Sequence, residues 1–162
     1  MSQKQLVFDQ LDNLGIAYKL MDHPPVYTIE DMEQLKITEQ GEVCKNLFLR
    51  DAKGKRHFLV VLNKDKQADI KSIQAQLGCT RLSFASDERL QKYLHLQKGA
   101  VTPLGVTNDP EAAVEVVLDS SLEGKEQLGF HPNDNTVTIW ISYGDLIKFI
   151  RTNGNIIHHI EI

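Results

Sequence analysis

The sequence predicts an α+β fold, a single domain over residues 1–162 in which a mixed β-sheet carries flanking helices. Three observations lead there. Apolar residues at helical spacing follow Ser, Thr or Asp caps at several places along the chain. Between them lie short runs in which apolar and polar residues alternate, as on half-buried strands. No linker, repeat or low-complexity stretch divides the 162 residues, a length suited to one core.

The elements follow in order. Ser2 and Gln5 read as a capping box, and Val7, Leu11 and Leu14 form one helix face that Gly15 ends. Ile16, Tyr18 and Leu20 alternate with Ala17 and Lys19, which predicts a strand. His23-Pro24-Pro25 forces an extended turn. Thr28 to Asp31 is a second capping box, opening a short helix to about Leu35. Val43–Arg50 and Arg56–Leu62 predict two strands around the turn Asp51-Ala52-Lys53-Gly54, and Ala68–Leu77 a helix stopped by Gly78. Arg81–Phe84 is a short strand, and Ser86 caps a helix through Leu94. Gly99–Pro103 reads as a loop, Gly105–Thr107 as a strand, and Asn108-Asp109-Pro110 as a turn. Val114, Val116 and Leu118 alternate, as do residues of Thr136–Ser142. A last helix follows Ser142, with Leu146, Phe149 and Ile150 inward, and Ile156–Ile162 closes as a strand.

Composition excludes several functions. With 18 Lys+Arg against 22 Asp+Glu the chain is net −4, neither a globally basic nucleic-acid binder nor a charged disordered tail. Its longest purely apolar run, Phe58–Leu62, is too short for a bilayer, so no membrane role is expected. Met1 to Gln5 leads into a helix rather than an apolar signal core, and Cys44 and Cys79 form no disulfide or metal spacing. A cytoplasmic location is therefore expected. Charge is nevertheless uneven: residues 43–73 hold 8 basic side chains against 3 acidic. Such an excess suits a phosphate-facing surface, or merely a solvated hairpin and helix face.

No P-loop, GxGxxG, GxSxG or HExxH motif occurs. His158 and His159 are adjacent on an expected strand, point to opposite faces, and cannot hold one metal together; no metal or cofactor is expected. Cys44 beside Lys45 invites a nucleophile reading, but neighbouring strand residues diverge, which favours a buried inert thiol. Lys45 and Asn46 interrupt an otherwise apolar strand. Lys45 either meets an anion there or guards a strand edge. Gly99 and Pro103, four apart in a small-residue loop, could hold backbone amides outward to an oxyanion.

The segments Lys45 to Asp51 (KNLFLRD), Arg81 to Ser86, Gly99 to Gly105 (GAVTPLG) and Phe130 to Asn135, in this order, resemble the YbaK/ProX family. Its members are freestanding relatives of the editing domain inserted in bacterial prolyl-tRNA synthetases. The resemblance runs from His23 to Ile150, and KNLFLRD and GAVTPLG look more like the ProX branch, which acts on alanyl-tRNA(Pro), than the cysteinyl-tRNA(Pro) branch. It implies a cytoplasmic, metal-independent deacylase that acts in trans on mischarged tRNA(Pro), with tRNA as partner and prolyl-tRNA synthetase as a transient one. A cysteinyl-tRNA(Pro) deacylase and a non-catalytic tRNA- or synthetase-binding module are the alternatives. By the same resemblance Lys45 matches the essential lysine and Asn46 its neighbour. Gly99, Ala100, Val101, Thr102 and Pro103 form the loop whose amides hold the substrate carbonyl and water. His131 and Asn135 line the pocket, and Thr28 and Glu30 its rim. The family's water is assisted by the vicinal hydroxyl of the substrate's ribose, so no protein base is implied. Ala100 stands where serine is common.

Overall fold

A computed structural model describes residues 2–162; Met1 lies outside them. Helix α1 (Gln3–Asn13) is capped by Ser2, whose side chain accepts from the Gln5 amide at 3.2 Å. The expected box is only half formed, because the Gln5 amide group turns to Asp9 at 2.8 Å instead of reaching back. Strand β1 (Lys19–Asp22) starts three residues later than the alternation predicts. Ile16 is buried, but its N–H is spent on the Leu11 carbonyl at 3.0 Å, so 16–18 stay tied to the helix end.

Helix α2 (Ile29–Gln34) carries the full capping box: Thr28 accepts from the Asp31 amide, and the Asp31 carboxylate accepts from the Thr28 and Tyr27 amides. Strands β2 (Glu42–Arg50) and β3 (His57–Asn63) pair antiparallel as expected. Helix α3 (Ile70–Leu77) ends at Gly78, φ +64°, and strand β4 (Ser83–Phe84) pairs with the end of β2. Helix α4 (Asp87–Leu94) follows, capped by Ser86.

Residues 105–107 are not a strand. Pro103–Asn108 forms a 3-10 helix, because Thr102 accepts the Leu104 amide on its hydroxyl at 3.2 Å and Pro103 fixes φ at the first position. Strand β5 (Val114–Asp119) is buried on all six residues. Strand β6 (Leu128–Phe130), which alternation does not reveal, precedes β7 (Val137–Ile141), α5 (Tyr143–Asn153) and β8 (Ile157–Ile160).

The sheet order is β1-β7-β6-β2-β3-β5-β8, with β4 attached to β2. The pairs β2–β6, β3–β5 and β5–β8 are parallel and the others antiparallel, so the sheet is mixed, as expected. Val61, Val116 and Leu118 pack with Val7, Leu11, Leu104 and Phe149 on one face, while Phe58, Val60 and Val117 pack with Ile73 on the other. Cover on both faces explains why β3 and β5 are apolar throughout rather than alternating. Gly129 lets the Trp140 ring lie against β6, since a Cβ there would sit 2.4 Å from Cζ3. No helix among the described residues is long and apolar enough to cross a membrane.

Candidate functional site

Strand β2 is the site's frame. The Lys64 amide donates to the Val43 carbonyl, and Lys45 is opposite Leu62, so odd-numbered residues of β2 bond to β3. Even-numbered residues present their backbone groups to the other edge. There β6 covers only Glu42 and Val43, while β4 begins at Leu49, with the Ala85 amide reaching the Phe48 carbonyl at 2.9 Å. Asn46 falls in the gap between β6 and β4, and its amide and carbonyl open outward. The gap is a crevice of about 560 Å³, within the usual ligand-pocket range.

Six of the residues singled out by the sequence line this crevice: Thr28, Lys45, Asn46, Gly99, Val101 and His131. The ammonium of half-buried Lys45 has no carboxylate within 4.0 Å and no hydrogen-bond partner among the described residues. It therefore does not act as the partner of a protein anion. Asn46, on the opposite face of β2, donates through Nδ2 to the Val101 carbonyl at 3.2 Å and so ties the strand to the loop. Its Oδ1 is buried with no donor, an unmet demand worth about 1–3 kcal/mol that a ligand N–H would satisfy.

The loop is shaped around Gly99, which adopts φ +93° and whose Cβ, if present, would lie 3.0 Å from Tyr27 Cδ1. Not every loop amide is available. The Ala100 amide is bound to the Gln97 carbonyl at 3.0 Å, whereas the Gly99 and Val101 amides have no acceptor among the described residues. His131 donates from Nδ1 to the Val137 carbonyl at 2.9 Å, which leaves Nε2 as an acceptor. Burial holds its pKa below the usual histidine value, so the ring is neutral at neutral pH.

The remaining candidates lie elsewhere. Glu30 is exposed on α2 and does not line the crevice; Asp31, not Glu30, holds the rim, through the Tyr27 and Thr28 amides. Ala100 faces a neighbouring depression, and Thr102 and Pro103 are buried beneath the loop, where they start the 3-10 helix. Asn135 clamps the Val26 segment, donating to the Val26 carbonyl at 2.8 Å and accepting the Val26 amide on its backbone carbonyl. These four shape the walls from behind. The sequence reading missed Tyr27, Phe84, Asp87 and Lys98, which all line the crevice. For Lys98 a signal existed, a lysine beside the glycine of the loop; for the two aromatics exposure decides, and that is a tertiary property.

Cys44 is buried, and desolvation pushes its thiol up to about 12, so it stays protonated and inert. His158 and His159 diverge as expected: one bonds Glu115 and the other the Tyr143 hydroxyl, each at 2.9 Å. Among the described residues no three His, Cys, Asp or Glu side chains are grouped as a metal site requires.

The model of the aminoacyl-tRNA editing domain matches residues 23–149, the stretch that contains the whole crevice. The chain belongs to the aminoacyl-tRNA editing domain family. This editing domain is 53% identical over 162 residues to the prolyl-tRNA editing protein ProX of Acetoanaerobium sticklandii, covering 100% of this chain and 99% of that protein. It is 35% identical over 150 residues to the prolyl-tRNA synthetase associated domain-containing protein 1 of Mus musculus, covering 90% and 88% of the two chains. The fold matches a solved structure described as a candidate trans-editing enzyme for prolyl tRNA synthetase, with TM-score 0.76, 19% identity and coverage of 100% and 98%.

Proposed function

We propose that this editing domain is a trans-acting deacylase that removes alanine from mischarged tRNA(Pro). One observation carries the reading: the gap of a split sheet edge is lined by a lysine without a carboxylate partner and by two loop residues whose amides have no acceptor among the described residues. The 53% identity to a prolyl-tRNA editing protein over the full chain supports it. In this reading the Lys45 ammonium holds the phosphate or ribose of the terminal nucleotide. The Gly99 and Val101 amides donate to the ester carbonyl and to the oxyanion it becomes as water adds to the carbon. The ester C–O bond then breaks. Alanine leaves as its carboxylate; of the two protons of the water, one ends on the freed ribose oxygen and the other passes to solvent. His131 Nε2 is left to accept from a hydroxyl of the bound substrate.

The apolar wall of Val26, Met32, Phe48 and Leu90 selects by size. Forcing extra methylenes into such a wall costs about 1–3 kcal/mol, enough to spare correctly charged prolyl-tRNA(Pro). The whole chain acts as one domain in the cytoplasm, with tRNA as partner, prolyl-tRNA synthetase as a transient one, and no metal.

Deacylation of alanyl-, cysteinyl- and prolyl-tRNA(Pro), with and without a chelator, tests the reading. Fast release of alanine, unchanged by chelator, is expected. Equal rates on alanyl- and prolyl-tRNA(Pro) would defeat the size filter, and restoration by zinc after chelation would defeat metal independence. No release from any substrate would leave a binding module.

A further inference from the structure

Among the described residues five large hydrophobic side chains are exposed: Leu20, Tyr27, Leu35, Phe84 and Ile156. The two aromatic ones are the most exposed, at 68% for Tyr27 and 65% for Phe84, and both line the crevice. Neither serves a core. Phe84 sits on the two-residue strand β4. Tyr27 is fixed by the Asp31 carboxylate on its amide at 3.0 Å and by its ring edge on Gly99. Two solvent-facing rings on one crevice, each carried on hydrogen-bonded backbone, have the form of a stacking surface.

Charge identifies what stacks there. Lys45 and Lys98 line the same crevice against Asp87 alone, so the occupant carries an anion beside a flat apolar group. A nucleotide at the unpaired 3′ end of an RNA has both, a phosphate and a base with a π-face. We infer that Tyr27 and Phe84 stack the terminal base of the tRNA, with Lys98 on the adjoining phosphate, so that the crevice grips the nucleoside independently of the amino acid. This rests on the editing reading for the identity of the RNA. An apolar side chain from a protein partner would use the rings but leave the two lysines without a counter-charge.

The test has two arms. In single-turnover deacylation of alanyl-tRNA(Pro), Phe84→Ala and Tyr27→Ala are expected to raise the half-saturating enzyme concentration about tenfold, with the maximal rate within about threefold. Phe84→Tyr restores the wild-type value, because it keeps the ring, and Leu20→Ala on β1 is unaffected. In direct titration, wild-type protein binds an RNA hairpin ending in C-C-A about tenfold more tightly than one whose last nucleotide lacks its base. Phe84→Ala and Tyr27→Ala each reduce that preference. Equal wild-type binding of the two hairpins, or an unchanged half-saturation in Phe84→Ala, would overturn the inference. If wild-type protein released no amino acid from any aminoacyl-tRNA, the editing reading would fall, while the two-hairpin titration would still decide whether the rings stack a base.

Discussion

Lys45 stands on a strand where Val43, Phe48 and Leu49 pack into the core, Asn46 ties the loop, Glu42 pairs with Lys125, and Arg50 bonds the hairpin turn, while nothing among the described residues neutralises Lys45 itself. Lysines kept for structure look different in this chain: Lys66 bonds Asp119 at 2.7 Å and also Ser121 and the Ile162 carbonyl. Removing Lys45 therefore forfeits no internal bond, and Lys45→Ala is expected to change stability by only a few tenths of a kcal/mol. Its effect on chemistry should be large, a fall in single-turnover deacylation of about 100-fold, roughly 3 kcal/mol of transition-state stabilisation. Arginine should not rescue it, since a planar fork cannot replace a compact ammonium in a tight crevice. Thermal melting beside single-turnover rates checks both halves. A folded Lys45→Ala protein with near-normal hydrolysis would return the lysine to the role of an edge guard.

Elements were legible where one local interaction fixes them. The Thr28–Asp31 box, the Ser86 and Ser142 caps and the β2–β3 hairpin all depend on neighbours in sequence. They were not legible where a distant partner decides. β6 is three residues held between β2 and β7, and 105–107 coil because the Thr102 hydroxyl takes an amide that a strand would have left free. The same division runs through the site: Lys45, Asn46 and Gly99 could be picked from the sequence, while the gap between β6 and β4 that unites them could not. One further long-range lock couples α4 to the β2–β3 hairpin. Arg89 Nη1 donates to the Gly54 carbonyl at 3.1 Å and to His57 Nε2 at 3.0 Å, with the His57 ring 3.9 Å from Tyr93. Burial first, then the Arg89 charge, lower the His57 pKa from 6.5 to about 4. Between those two values the unfolded chain binds a proton that the folded chain refuses, so stability falls as pH drops through the window from 6.5 to about 4. The loss is at most about 3 kcal/mol. His57→Gln keeps an acceptor for Arg89 but cannot titrate. Urea unfolding across that window should show a shallower pH dependence in the variant, and an equal slope in both proteins would refute the assignment.

At the scale of the whole molecule, the basic side chains of residues 43–73 include two contrasting groups. Arg56 pairs with Glu115, Lys64 with Asp65 and Glu33, and Lys66 with Asp119, so these three charges are spent inside the fold. Lys53 and Lys55 are exposed at the tip of the β2–β3 hairpin and make no ion pair among the described residues. The tip lies at the far end of β2 from Lys45, five residues from it to Arg50, or about 17 Å at the usual strand rise. On the proposed editing reading, that separation would let the crevice take the 3′ end while the hairpin tip meets phosphates of the adjoining duplex, in a protein otherwise net negative. Each lysine that neutralises a duplex phosphate contributes about −0.9 to the slope of log K against log salt. The double variant Lys53→Ala/Lys55→Ala is therefore expected to bind tRNA more weakly, with a slope shallower by up to about 2, while the maximal single-turnover rate stays near wild type. Titrations over a range of salt concentrations, paired with saturating single-turnover assays, separate these outcomes. An unchanged slope would place the duplex on another face, and a lower maximal rate would mean that the hairpin tip reaches the chemistry.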